Sequence, residues 1–375
     1  MSKKTHKIIV LSVLWFTFSV SSVYACTAFM LKTKEGIVTG RTLDYDQPSV
    51  YNTKTYKSGS TIQSVLKPTP PTPRFSWKVK HDFIVVNNVL SDPAGYLVAF
   101  EGMNKAGISI SGNLAGASYP NGNKTYPTLS SDDIVRYVLS LASDIDEVKS
   151  LLSKINIKSS WQYHYIIFDK SGHSLVVEFK NNAVKYTENE TKILTNNPNL
   201  NYQLENLNNY ANLKNFNSKS ITPGSGNQFH GAGMFGLPGD WMSPSRFIRG
   251  SIMIKEGQKF ISTTKEAVNL AAKIVDSVSL IKGIDLGKTE TSIPIYTQIQ
   301  IIKDLNNSKL YLKRYDDFEW TLINFNNSTD IDAGPISGNK DAKIKCPNVC
   351  SASSLKWNGQ WTTTIPNEMS VCGCI

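Results

Sequence analysis

The chain has 375 residues, 40% of them hydrophobic and 19% charged, with a formal charge of +10. That suffices for one large domain, or a large domain with a small one, and the composition is that of a globular rather than a disordered chain. Basic residues are scattered, with no cluster interleaved with aromatics, so nucleic acid is not an expected partner.

Residues 1–25 have the pattern of a secretory signal. Lys3, Lys4 and Lys7 form a basic start, Ile8 to Val20 an apolar core too short for a membrane span, and Val23-Tyr24-Ala25 a small-x-small cleavage site. Removal leaves 37 basic against 30 acidic residues. The expected location is periplasmic or secreted, with the cut between Ala25 and Cys26. A lipoprotein signal would also put a cysteine after the cut, but Tyr24 is bulky for its position and no leucine stands at residue 23.

Cys26 to Leu31 is a short apolar run, Lys32 to Gly36 a turn, and Ile37 to Asp44 the returning strand of a hairpin. Closure near Lys34 and Glu35 brings Arg41 and Asp44 back alongside Cys26. A Pro-rich loop follows at 66–73, then strands at 83–86, 96–100 and 107–111. Glu101 to Gly107 reads as a turn with two glycines, and Asn113 comes just past the third strand. Helices are expected from Ser130 or Ser131 and from about Asp144, the second carrying Ile145, Val148, Leu152 and Ile155 at helical spacing. A hairpin spans 163–179, and short strands at 184–186 and 193–195 run into Asn196-Asn197-Pro198. The asparagine-rich stretch 196–217 reads as irregular but folded. Pro223 to Gly226 is a loop. A helix follows Ser243-Pro244-Ser245-Arg246, and another starts at Thr263 with Glu266 as its capping-box partner. Strands at 297–302, 310–312 and 322–325 close the main domain. This order predicts an α+β fold with antiparallel sheet between helices.

Export implies an oxidising compartment. Cys346, Cys350, Cys372 and Cys374 then form two disulfides that staple a small terminal module, with the connectivity open, while Cys26 is left as a reactive thiol. Cys-x-Cys is a tight spacing for zinc, and no metal site or cofactor is expected. The expected boundaries are 1–25 for the signal, 26–325 for the main domain, 326–332 for a polar linker and 333–375 for the module.

Once unmasked, Cys26 would carry its thiol and a free α-amine on one residue, a nucleophile and a base without histidine. The amine titrates at about 7.7–8.0 and the thiol at about 8.5. Arg41 could hold the sulfur as thiolate and Asp44 could orient the ammonium. Side-chain amides at buried strand ends, such as Asn113 and Asn196, suit an oxyanion.

Five segments in order resemble the choloylglycine hydrolase family, the bile salt hydrolases and penicillin V acylases: Cys26-Thr27, Gly40 to Asp44, Gly102 to Gly107, Leu194 to Pro198, and Gly236 through Phe247. The resemblance implies an αββα N-terminal-nucleophile sandwich and hydrolysis of a linear amide C–N bond. It implies Cys26 as nucleophile with its amine as base, Arg41 and Asp44 as its supporting pair, Asn113 and Asn196 at the oxyanion, and Arg246 in support. The substrate would be a small-molecule acyl amide of the conjugated bile salt or penicillin V type. The alternatives are an acyl-homoserine-lactone acylase of the same fold, or an inactive carbohydrate-binding surface protein. Tyr45 stands where the family often has tryptophan. Residues 201–230 resemble the excursion that packs subunits in tetrameric members, which implies a homotetramer. In the tail, Ala333-Gly334-Pro335, Asn358 to Thr363 and Glu368 to Val371 resemble a repeat of a cyanobacterial mannan-binding lectin. That likeness implies an oligomannose-type glycan as a partner, with Trp361 and Thr362 near the sugar. The tryptophan expected after Ala-Gly-Pro-Ile is missing, and the cysteines are extra.

Overall fold

The computed structural model describes residues 24–46, 49–66, 74–89, 98–159, 161–217, 231–286, 289, 292–325, 329–352, 356–365 and 369–374. The expected signal up to residue 23, the loop at 67–73, the start of the strand at 96–100, the loop at 223–226 and the end of the 201–230 excursion lie outside the described residues.

Two antiparallel sheets face each other. The first has the order β14 (Ile193–Leu194), β1 (Tyr24–Lys32), β2 (Ile37–Tyr45), β15 (Tyr296–Asp304), β16 (Lys309–Arg314) and β17 (Thr321–Asn324). The second has the order β13 (Ala183–Glu188), β12 (Ser174–Lys180), β11 (Tyr163–Asp169), β8 (Ile108–Leu114), β7 (Val98–Asn104), β6 (Phe83–Val89) and β3 (Val50–Tyr56). Two short pairs flank them, β4 (Thr61–Gln63) with β5 (Ser76–Lys78), and β9 (Thr128–Leu129) with β10 (Asn156–Ile157). Helices α4 (Ser243–Gly257) and α5 (Thr264–Val278) cover the outer face of the first sheet; α1 (Ile134–Leu141) and α2 (Ile145–Leu152) cover the second. The layers run αββα, as the resemblance implies.

Alternation across the second sheet makes this work. Ile84, Val86, Phe100, Ile166 and Val176 point into the space between the sheets, while Phe83, Val85, Ala99, Ile167 and Val177 pack under α1 and α2. Strand β2 is buried at every position because helices cover one face and a sheet the other. Helix α5 has the expected capping box at Thr263 and Glu266 and buries Ala267, Ala271, Ile274 and Val275. Helix α2 stops at Leu152, so Ile155 lies beyond it, though buried. Helix α3 (Leu200–Leu207) occupies part of the asparagine-rich stretch.

The expected turn over Glu101 to Gly107 is mostly strand. Strand β7 runs to Asn104, and only residues 105–107 turn, with Gly107 at φ +101°. Gly102 is a packing glycine: a Cβ there would stand 2.4 Å from the Ile84 carbonyl oxygen.

The expected linker is also partly strand. β18 (Thr329–Gly334) pairs with β20 (Met369–Cys374), which pairs with β19 (Trp357–Ile365). Ile331 and Ala333 pack on the module's core, which is why this polar stretch is recruited to the sheet. Helix α6 (Asn339–Ala352) carries Cys346 and Cys350, bonded to Cys372 and Cys374 respectively. Four residues along a helix advance ~6 Å and two along a strand ~7 Å, so the two bonds form parallel rungs. The module sits against the free edge of β3, where Thr53 Oγ1 donates to Gln360 Oε1 at 2.8 Å.

Candidate active site

Strands β1 and β2 pair in the register Cys26↔Leu43, with Ala28 opposite Arg41 and Ala25 opposite Asp44. Cys26 and Arg41 point between the sheets, and Asp44 points toward α4. The hairpin thus brackets Cys26 from both sides, and Ala25 and Tyr24 continue the strand ahead of it.

Cys26 is buried and is the only unpaired cysteine among the described residues. Its backbone N–H donates to Asn196 Oδ1, and its carbonyl accepts from Arg246 Nη1 at 2.8 Å. Burial pushes the thiol above its ordinary pKa. The Arg41 charge and hydrogen bonds from the Arg41 side chain and the Asp44 backbone pull it back, while the Asp44 charge adds to the rise.

Arg246 is anchored by its position. Pro244 stands in the first turn of α4, and Arg246 follows with its side chain turned into the protein at 1% exposure. It also donates to Thr27 Oγ1 at 2.6 Å, to Asn196 Oδ1 at 3.2 Å and to Trp241 O at 2.9 Å, and lies 3.9 Å from Asp44. Asp44 accepts from Thr297 Oγ1 at 2.5 Å and from Thr42 Oγ1 at 3.4 Å. Burial raises its pKa to about 7 against the lowering effects of Arg246, Thr297, Thr42 and Arg41.

Asn113 and Asn196 both stand at strand ends beside this group. Asn196 Nδ2 donates to Leu114 O at 2.9 Å, and Asn113 Nδ2 donates at 3.1 Å to both Leu194 O and Thr195 O. Both amide NH2 groups are therefore held by main-chain carbonyls, and the Asn196 oxygen serves Cys26 and Arg246. The Asn113 oxygen has no partner. An oxyanion would have to displace a carbonyl from one of these donors.

Five of the six expected residues, Cys26, Arg41, Asp44, Asn196 and Arg246, form one contacting group, and Asn113 joins it through the backbone of residues 194 and 195. Thr27, Thr42 and Thr297 were not anticipated. Their signal was alternation: Thr27 and Thr42 face one another across β1 and β2, on the side that α4 covers. The two lectin-type residues stand elsewhere. Trp361 donates its indole N–H to Asn339 at 2.8 Å and packs on the disulfides, and Thr362 is 9% exposed.

The raised pKa of buried Asp44 makes stability depend on pH. In a chain extended ahead of Cys26, the native carboxyl titrates near 7 and the unfolded one near 3.9. The native state then binds the extra proton between those values, so stability falls as pH rises from about 4 to 7. Relative to Asp44→Asn, the extended wild type is expected to lose on the order of 4 kcal/mol over that window. Urea melts of both proteins at pH 4.5 and 7.5 test this; a constant difference contradicts it.

The family description "Linear amide C-N hydrolases, choloylglycine hydrolase family" matches residues 26–336, and a mannan-binding protein description matches residues 339–374. A bile salt hydrolase/transferase of Lactiplantibacillus plantarum is 30% identical over 262 residues, 66% of this chain and 78% of the relative. Another, from Clostridium perfringens, is 25% identical over 334 residues, 80% and 92% of the two chains. Among solved structures, a variant of the conjugated bile acid hydrolase of Clostridium perfringens superposes with TM-score 0.65 at 23% identity, covering 80% of this chain and 92% of that one. Penicillin V acylase of Agrobacterium tumefaciens gives 0.64 at 20% identity, covering 80% and 86%. These structural likenesses show that the αββα fold is shared with the conjugated bile acid hydrolase and penicillin V acylase structures.

Proposed function

The chain belongs to the choloylglycine hydrolase family of linear amide C–N hydrolases, and from that membership we propose an exported amidase whose nucleophile is Cys26, unmasked by cleavage after Ala25. The observation that carries the reading is the convergence on Cys26 of Arg41 and Asp44 from the adjoining strand with Asn196 and Arg246 from distant parts of the chain. The free α-amine takes the thiol proton. The thiolate attacks the amide carbon, and the tetrahedral oxyanion collapses to a thioester as the C–N bond breaks. The ammonium returns its proton to the leaving amine. Water then cleaves the thioester, its proton passing through the same amine, and Cys26 is restored.

The substrate class is an acyl amide of the conjugated bile salt or penicillin V type, in keeping with the names of the relatives. The test is release of glycine from glycocholate and of 6-aminopenicillanic acid from penicillin V by the chain beginning at Cys26. Turnover of one supports the substrate class; failure of both moves the reading to other acyl amides.

The match to a mannan-binding protein supports a second role for the module, in holding the protein to oligomannose-type glycans. The full chain is expected to bind such glycans on an array. A signal no higher than the background of galactose-terminated glycans contradicts that role and leaves a disulfide-stapled cap.

A further inference from the structure

Between the two sheets, behind the nucleophile, lies a charged cluster of which the proposed site takes in only Arg41; Glu101 and Lys303 have no part in it so far. Glu101 on β7 is 0% exposed, Arg41 on β2 is 0% and Lys303 at the end of β15 is 1%. Glu101 Oε2 accepts from Arg41 Nη1 at 3.0 Å and from the Ser111 hydroxyl on β8. Its Oε1 accepts from Lys303 Nζ and from the Gly102 N–H at 3.0 Å. The same Arg41 Nη1 also donates to Phe100 O and Nη2 donates to Gly112 O, both at 2.7 Å, while Nε has no hydrogen-bond partner. Two cationic side chains thus share one carboxylate in a buried interior, where an unpaired charge is costly. Three strands besides its own, drawn from both sheets, contribute to fixing Arg41.

We propose that Glu101 is the positioning residue of the site: its carboxylate sets the Arg41 guanidinium against Cys26, and Lys303 and Ser111 fix the carboxylate in turn. The proposal rests on the Cys26 amidase reading, but its physical content is the state of the sulfur. Arg41 lowers the thiol pKa by charge and by a hydrogen bond, and both effects fall quickly with displacement. The other charged groups acting on the sulfur are Asp44, which raises its pKa, and Arg246, which shares Asp44. Burial and the Arg41 charge push the Lys303 ammonium down, with the touching carboxylate opposing. A glutamine at 101 would turn an N–H toward one of the two cations, and a short shift of Arg41 away from the sulfur follows.

The experiment uses the full chain beginning at Cys26, as wild type, Glu101→Gln and Glu101→Asp. Two readouts are taken, the pH profile of Cys26 alkylation by iodoacetamide and the kcat and KM of amide hydrolysis. For Glu101→Gln the alkylation pKa is expected to rise by roughly one unit. Its kcat is expected to fall about 10²-fold with KM nearly unchanged. Glu101→Asp, which keeps the charge on a shorter arm, should fall between. A folded Glu101→Gln with an unchanged alkylation pKa overturns the proposal. A lowered pKa does so too, since the carboxylate would then only dilute the charge of an Arg41 that needs no positioning. Should Glu101→Gln not fold, a Glu101→Asp chain identical to wild type in both readouts has the same force. Alkylation needs no substrate, so a chain inert toward every amide would sink the amidase reading and still decide this one.

Discussion

Replacing Cys26 by alanine is expected to leave a folded chain with no measurable amide turnover, a loss of about 10⁴-fold or more. The fold should survive because the substitution removes one sulfur from a strand hydrogen-bonded on both sides, to β14 and β2. The backbone N–H to Asn196 and the carbonyl to Arg246 do not depend on the side chain. Removing the sulfur also relieves the burial of a titratable group, so thermal stability should stay within a few degrees of wild type. A Cys26→Ala chain with more than a hundredth of wild-type activity would place the nucleophile elsewhere. No other unpaired cysteine stands among the described residues to take its place.

Arg246 is the second position with a large expected effect, on stability and turnover together. Its guanidinium ties the Cys26 carbonyl, the Thr27 hydroxyl, the Asn196 oxygen and the Trp241 carbonyl into one rigid group. Arg246→Met leaves Asp44 buried without its nearest cation, at an expected cost of about 3–5 kcal/mol. For a chain of this size that corresponds to a fall in Tm of roughly 4–7 °C. Arg246→Lys keeps the charge, but one ammonium cannot span four acceptors lying in different directions. It should recover part of the stability and little of the rate, with kcat lower by about 10²-fold as the N-terminus loosens. Wild-type kcat in Arg246→Lys would show that charge alone matters here.

Much of this frame is legible in the sequence. The tight turn at Lys34 and Glu35 makes the β1–β2 hairpin readable, and with it the meeting of Cys26 with Arg41 and Asp44. The capping residues at Thr263 and Glu266 mark the start of α5. Approach of Asn196 and Arg246 to Cys26 is visible only through the family resemblance, because nothing local links positions so far apart. Glu101 and Lys303 were hidden for another reason. Glutamate before glycine reads as a turn, and lysine after Ile299 to Ile302 reads as the exposed end of a strand; only the stacking of two sheets pairs them. The linker strand at Thr329 to Gly334 was missed because its polar residues find a partner supplied by the far end of the chain. Disulfide connectivity likewise needed the matched repeat of helix and strand.

In the proposed mechanism Cys26 works as an N-terminal residue, with its own amine as base. The most direct test compares two chains, one beginning at Cys26 and one retaining Ala25 ahead of it, on glycocholate and penicillin V. The masked chain keeps the thiol, Arg41 and every other side chain of the site. Its nitrogen is an amide that can only donate to Asn196, as in the described structure. Turnover is expected from the first chain, with a loss of about 10²–10⁴-fold in the second, the contribution of the missing base. Equal rates from the two chains, with Ala25 confirmed in place by intact mass, would contradict it.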